Sequence, residues 1–209
     1  MATRPQALIL DFGEVLVEGQ PKDAMRTMAN RARAEEGALR RACWAERHRY
    51  DLDGRADEYW RRVLVAARVP FGEGELDRLT ADLVALDVAS WTHYREAVWD
   101  LVRAFRAAGG KTAMLSNGVP EVMDRVRATR PLEPFFDEVV VSYEVGLAKP
   151  DRAIYELCLS RLALPPRQAL FVDDREENIL AARAVGLEAL HFTGEGSLPA
   201  LRSRVLPEG

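Results

Sequence analysis

The stretch Leu8-Ile9-Leu10-Asp11-Phe12-Gly13-Glu14-Val15-Leu16-Val17 decides how this chain is read. An apolar run ends abruptly in a carboxylate, passes a glycine turn and becomes apolar again. Such a run, preceded by polar Arg4-Pro5-Gln6, predicts an inner strand of a parallel sheet covered on both faces, with Asp11 delivered to a loop. In sheets of that kind ligands bind beyond the carboxyl ends of the strands, where strand order reverses, so an acid at that point is well placed for chemistry. Taken alone, the stretch also admits a plainer reading, in which Asp11 only caps the segment that follows it.

Outward from this run, the chain turns at Glu18-Gly19-Gln20-Pro21 and then shows helical periodicity, with no strand pattern until Thr112. Ala24, Met25, Met28, Ala29 and Ala32 share one face. Gly37 is expected to break that run before Leu39, Ala42 and Cys43 begin another, and Asp53-Gly54 to make a turn. Ala56, Tyr59, Trp60, Val63, Leu64 and Ala67 recur at helical spacing, the strongest amphipathic signal in the chain. A break over Pro70 to Gly74 precedes Leu76, Leu79, Leu83 and Leu86. Four short helices joined by tight turns predict a small bundle inserted into the sheet domain.

Beyond Val88 helix and strand alternate. A helix through Tyr94, Val98, Leu101, Val102 and Phe105 stops at Gly109-Gly110. Thr112 to Leu115 is a strand ending in Ser116-Asn117-Gly118, and Pro120 suits the first turn of the next helix. Val139 to Ser142 is a third strand. Asp151 caps a helix carrying Ile154, Leu157, Cys158 and Leu162; Ala169 to Val172 is a fourth strand ending in Asp173-Asp174; a helix through Ile179, Ala182 and Val185 stops at Gly186; and Glu188 to Phe192 is a fifth strand. This alternation predicts an α/β fold, a doubly wound, Rossmann-like parallel sheet. The expected division is a core of residues 1–17 and 89–209, with residues 18–88 as a helical cap.

Composition narrows the function. The 209 residues carry 29 Lys and Arg against 33 Asp and Glu, a net charge of −4 that argues against a nucleic-acid footprint. The partner expected is a small molecule. Cys43 and Cys158 lack metal-ligand spacing and read as buried free thiols, which points to a reducing, cytoplasmic compartment. No apolar run approaches the ~20 residues that span a bilayer, and the N-terminus has no signal pattern. His48, His93 and His191 read as structural. The bundle is rich in arginine, from Arg26 to Arg68; most read as solvated faces, with one or two free to face a bound anion, and sequence does not say which. Nothing in the sequence sets a monomer against a homodimer.

The strand ends collect the chemistry. Asp11, Ser116-Asn117, Lys149 and Asp173-Asp174 converge on one edge if the sheet is parallel. A carboxylate nucleophile, hydroxyl and amide donors, a lysine and a further acidic pair are the parts needed to hold a phosphoryl group and a divalent cation. Four motifs in order, LILDFGEVLV, MLSNG, SYEVGLAKPDRAIYE and FVDDREENILAARAVG, make the chain resemble the haloacid dehalogenase-like hydrolase superfamily with a helical cap. The resemblance covers the whole core. It implies that Asp11 attacks phosphorus to give an aspartyl-phosphate, and that Ser116 and Lys149, with Asn117 and Gly118, hold the phosphate. It also implies that Mg²⁺ sits on Asp11, the Gly13 carbonyl and Asp174, with Asp173 and Asn178 behind, orienting its water or its ligands.

One position departs from the pattern. Most phosphatases of the superfamily carry an aspartate two residues after the nucleophile, where it protonates the leaving group, and here that residue is Gly13. The carbonyl remains, so metal binding need not suffer, while general acid help worth ~10²–10⁴-fold is missing. A subset resembling sugar-phosphate phosphatases shares this glycine. Adjacent Glu14 points elsewhere on a turn. The expected function is Mg²⁺-dependent hydrolysis of a small phosphorylated metabolite, with a sugar phosphate as the finer reading. The competing ones are a 2-haloacid dehalogenase, against which the Asp173-Asp174 pair speaks, and a catalytically weak relative that only binds a phosphorylated ligand.

Overall fold

A computed structural model describes residues 4–72 and 74–206. The outermost residues of the expected core, and Glu73 within the Pro70 to Gly74 break, lie outside the described residues. Five strands, β1 (Ala7–Leu10), β2 (Lys111–Ser116), β3 (Glu138–Val141), β4 (Ala169–Asp173) and β5 (Glu188–His191), form one parallel sheet in the order β3-β2-β1-β4-β5. The chain walks outward from β1 to β3 and then crosses back to β4 on the other side of β1. Strand order therefore reverses between β1 and β4, which opens a crevice at their carboxyl ends.

Every residue of β1 is buried, as its unbroken apolar run demands. Side chains alternate between faces, so Leu8 and Leu10 enter one core layer while Ala7 and Ile9 enter the other. The first layer is filled by α5 (Glu96–Ala107), α6 (Pro120–Thr129) and α10 (Leu198–Val205), through Val102, Phe105, Val126 and Leu201. The second is filled by α8 (Arg152–Leu162) and α9 (Glu176–Val185), through Ile154, Tyr155, Cys158 and Ala182. The doubly wound sheet expected from the alternation is present.

Between β1 and α5 come α1 (Ala24–Ala32), α2 (Glu36–Asp53), α3 (Ala56–Ala66) and α4 (Glu75–Ser90). Met28, Leu39, Trp60, Val63, Leu64 and Leu83 close their shared core. Entry and exit of this bundle are stitched together by an isolated antiparallel bridge between Val17 and Tyr94, with Glu18 N donating to His93 O at 2.7 Å and Arg95 N to Leu16 O at 3.0 Å.

Four element readings need correction. Gly37 does not break the first helical run; the break is at Arg33, left-handed at φ 53°, and Glu35 caps α2 by accepting from the Gly37 and Ala38 amides. A Cβ on residue 37 would sit 2.9 Å from Glu35 Oε1, so the glycine makes room for the cap. Tyr94 lies outside α5, where its ring meets Trp99 edge-on. Ser142 is not in β3: pairing ends at Ser116–Val141, where β2 also ends, and with no ladder to join Ser142 opens the single-turn helix α7 (Ser142–Val145). For the same reason β5 stops at His191, paired with the last residue of β4, one residue short of Phe192.

Cys43 and Cys158 are free and buried, and burial pushes their thiols up to about 11 and about 12. Among the described residues no helix is long and apolar enough to cross a membrane.

Candidate active site

Asp11 sits one residue beyond β1. Its amide still donates to Val172 O at 2.9 Å, which continues the ladder and pins the residue between β1 and β4. Its Oδ1 accepts from Phe12 N at 2.7 Å, so Asp11, delivered by a buried strand, also caps the wide turn Phe12–Leu16. Only 7% of the residue is exposed.

Lys149, 2% exposed, reaches between two carboxylates: Nζ lies 2.8 Å from Asp11 Oδ1 and 2.6 Å from Asp173 Oδ2. Its loop is clamped from β2, since Asn117 Nδ2 donates to Lys149 O at 2.8 Å and Asn117 Oδ1 accepts from Lys149 N at 2.8 Å. The Asn117 side chain is thereby committed to the lysine loop. Asp173 is equally committed. Its second oxygen, Oδ1, accepts from Asn178 Nδ2 at 2.9 Å and from Arg175 N at 2.8 Å. Ser116 closes the end of β2 at 3% exposure, and Gly118 follows it where a Cβ would stand 2.8 Å from Val141 Cγ1. That glycine lets the loop after β2 fold tightly against β3.

Asp174, one residue beyond β4, behaves differently. Its carbonyl is held by His191 Nε2 at 2.7 Å, whereas its carboxylate has no hydrogen-bond or ion-pair partner among the described residues. Burial first, then the charges of Asp11, Asp173 and Glu14, push it up to about 7. Burial likewise pushes Asp11 up to about 6, with Lys149 opposing and Asp173 adding to the rise. Burial drives the Lys149 ammonium down, but Asp11 and Asp173 together hold it above its ordinary value.

Asp11, Asp173 and Asp174 offer oxygens that all lie within 4.8 Å of one another, a group able to hold a metal ion. Carboxylates this close, two of them buried and Asp174 half-buried, repel one another, and among the described residues Lys149 is the one cation interleaved. The chemistry of the set, hard oxygens with surplus negative charge, fits a divalent ion such as Mg²⁺. A stability signature follows from the two raised carboxyls. Their unfolded values lie near ~4, and a raised group contributes stability that is present below its unfolded value and lost as pH rises through its folded one. In chelator the melting temperature should therefore fall as pH rises from ~4 through about 6 and about 7. Added Mg²⁺ should restore more of it at pH ~8 than at pH ~5, as metal competes with protons for these oxygens. A melting temperature flat with pH in chelator would show that these carboxylates are not under such strain.

Above these residues lies a cavity of about 100 Å³. Its floor is Asp11, Gly13, Ser116, Lys149 and Asp174; one wall is apolar, from Val119, Val122 and Met123; the bundle contributes Trp44, Arg47 and Asp51, and Trp91 follows α4. The sequence reading did not single out these last four. Arg47 was one arginine among many, and nothing in its spacing marks it.

At Gly13 the backbone is extended (φ −62°, ψ 134°), and a Cβ there would lie 3.8 Å from the Trp91 ring, so glycine is not required by conformation. The neighbouring Glu14 takes the left-handed region at φ 55° and turns its carboxylate toward Gly19.

Comparison with known proteins agrees with this geometry. Residues 5–186 match the family model of haloacid dehalogenase-like hydrolases. The chain is 28% identical to glyceraldehyde 3-phosphate phosphatase of Methanothermobacter thermautotrophicus, over 69% of its own length and 65% of the relative's. It is 30% identical to the (S)-2-haloacid dehalogenase of Pseudomonas sp. strain YL, over 66% of each. The chain thus spans less than two thirds of either relative. A crystal structure of an enzyme of the same family, BT-2542 of Bacteroides thetaiotaomicron, superposes with a TM-score of 0.77 at 17% identity, covering 96% of this chain and 100% of that one. An ordered set of strand-end acids, a buried lysine between two of them and a family match across most of the chain lead to one assignment: this protein is a hydrolase of the haloacid dehalogenase-like family.

Proposed function

We propose that the protein is a Mg²⁺-dependent phosphohydrolase acting on a small phosphorylated metabolite, with a sugar phosphate as the finer reading. The observation that carries this is Asp174, a half-buried carboxylate beside Asp11 with no hydrogen-bond or ion-pair partner among the described residues, while Asp173 is wired into Lys149, Asn178 and the Arg175 amide. A divalent cation uses such an acid as a ligand, and displacement at carbon needs no cation. Among the relatives, the glyceraldehyde 3-phosphate phosphatase and the BT-2542 complex with magnesium and inorganic phosphate support the reading.

The residues divide the work as follows. One Asp11 oxygen attacks phosphorus in line while the bond from phosphorus to the leaving oxygen breaks, which transfers the phosphoryl group to Asp11. Water then attacks the same phosphorus, releasing inorganic phosphate and restoring the carboxylate. Lys149 steers Asp11 and offsets charge on the phosphoryl oxygens, and the Ser116 hydroxyl with the Asn117 and Gly118 amides binds those oxygens. Asp11, the Gly13 carbonyl and Asp174 would hold Mg²⁺, backed by Asp173 and Asn178. When bound, the cation supplies charge neutralisation at the phosphate. Residues 18–88 would form the cap and the remainder the core.

The deciding experiment is phosphate release from a panel of metabolite phosphates with and without Mg²⁺, beside chloride release from 2-haloacids. Mg²⁺-dependent phosphate release is expected; chloride release indifferent to chelator would install the dehalogenase reading, and neither product would leave a ligand-binding relative. With glycine at position 13, no carboxyl stands there to act as general acid, and the leaving group departs with less protonation. Single-turnover phosphorylation of Asp11 should then be faster from aryl or acyl phosphates than from simple alkyl phosphates, by up to about 10²-fold. Gly13→Asp should flatten that dependence. A flat wild-type profile would mean that another group supplies the proton.

A further inference from the structure

The cavity wall contributed by the bundle is the part of the site that can read the leaving group. On α2, Arg47 and Asp51 stand one turn apart, and Arg47 Nε donates to Asp51 Oδ1 at 2.7 Å. They are largely shielded, with side-chain exposures of 21% and 7%. Asp87 of α4 lies behind them, 8% exposed, held by Gln20 Nε2 at 3.0 Å and acting electrostatically on Arg47. An arginine facing a substrate pocket invites the assumption that it binds an anion. Here its charge is already balanced by Asp51, with Asp87 as a second acid.

The other cations that line the cavity are paired as well. Lys149 lies between Asp11 and Asp173, and Arg175 pairs with Glu177 at 2.7 Å. Asp174 and Glu14 line the same space, and neither carboxylate has an ion-pair partner among the described residues. A phosphate dianion and a divalent ion cancel each other, so the remaining lining is neutral to negative. A second anionic group on the substrate would be buried against acids, which costs more than its solvation in water allows.

A purely apolar leaving group fits no better. The Arg47–Asp51 hydrogen bond uses only Nε and Oδ1, so the terminal guanidinium nitrogens and Oδ2 are uncommitted among the described residues. Capping them with hydrocarbon would strip their water and return nothing. Hydroxyl groups satisfy both, as acceptors from Arg47 and donors to Asp51, while Trp44 and Trp91, which line the same space, offer apolar surface to the C–H groups between them.

We propose that the Arg47–Asp51 pair sets the specificity of the site, taking a leaving group that carries hydroxyls and no negative charge. The substrate class is then a monophosphate of a neutral polyol or sugar, and monophosphates bearing a carboxylate or a second phosphate are rejected. This rests on the phosphohydrolase reading above.

Glycerol 3-phosphate and 3-phosphoglycerate test it, because they differ chiefly in a hydroxymethyl against a carboxylate. Wild-type kcat/KM should favour glycerol 3-phosphate by at least about tenfold. Asp51→Asn, which removes the negative charge at constant size, should narrow that ratio several-fold. Arg47→Gln, which removes the balancing cation, should widen it. The opposite shifts separate a charge effect from mere loss of packing, and the wild-type ratio needs no variant to fold. Equal or better turnover of 3-phosphoglycerate by wild type would overturn the proposal, as would folded variants that leave the ratio unchanged. If p-nitrophenyl phosphate and both metabolites all fail to release phosphate, the phosphohydrolase reading itself falls, and this inference with it.

Discussion

Asp11→Asn should lower steady-state phosphate release by about 10⁴-fold or more, the scale seen when a covalent nucleophile is removed, and leave the protein folded. The amide keeps the shape of the carboxyl group but has no lone pair basic enough to attack phosphorus, so the first chemical step is lost. Folding should survive because the change also removes a strained charge: burial pushes the Asp11 carboxyl up to about 6, the mark of an ionised form held at a cost. Lys149 keeps Asp173 as a partner at 2.6 Å, so no buried ammonium is left alone. In chelator at neutral pH the variant should melt no lower than wild type. Near-wild-type phosphate release by folded Asp11→Asn would remove Asp11 from the nucleophile's role and the mechanism with it.

The second large effect belongs to Asp174. Asp174→Ala should cut activity at high Mg²⁺ by at least about 10²-fold, because metal charge stabilisation is worth several kcal/mol. Titration with Mg²⁺ should no longer saturate in the wild-type range. Stability in chelator should rise, since a carboxylate held up to about 7 by burial and by Asp11, Asp173 and Glu14 is gone. Asp173→Ala offers the contrast. It removes a partner of Lys149, Asn178 and the Arg175 amide at once, so its expected mark is a lower melting temperature with or without metal. Calorimetry and metal titration on both variants check the distinction, and an Asp174→Ala enzyme with undiminished Mg²⁺-dependent turnover would refute it.

The five strands and the residues at their ends were legible in the sequence for a local reason. A strand buried on both faces is a short unbroken apolar run, and the first polar residue after it marks the edge where the chain leaves the sheet. Asp11, Ser116 and Asp173 could therefore be picked out before any coordinate, and once the strands are parallel their convergence follows from topology; Lys149 lies beyond α7, is read from its motif Lys149-Pro150-Asp151, and is brought to the edge by the Asn117 clamp. Element ends were less legible. Ser142 fell outside β3 because β2 had already ended beside it, and Gly37 entered a helix because Glu35 needed room to cap it.

What lines the far side of the cavity was decided only by tertiary packing. Arg47–Asp51 and Arg49–Asp53 are the same i,i+4 pair on the same helix, two residues apart, with nothing in composition or spacing to separate them. Folding turns the first pair toward the cavity, where Arg47 is 21% exposed, and leaves the second outside, where Arg49 is 62% exposed. The difference is a rotation of about 200° around α2, two residues at ~100° each, and which side faces the sheet depends on how α2 docks. Gly54 ends that helix in the left-handed region, close enough to Pro120 of α6 that a Cβ would lie 2.9 Å from its ring. By itself the sequence determined the acid-bearing edge, because Asp11, Ser116, Asp173 and Asp174 each stand at or next to a strand end; the far wall of the cavity was decided by a contact between distant segments that no local pattern encodes.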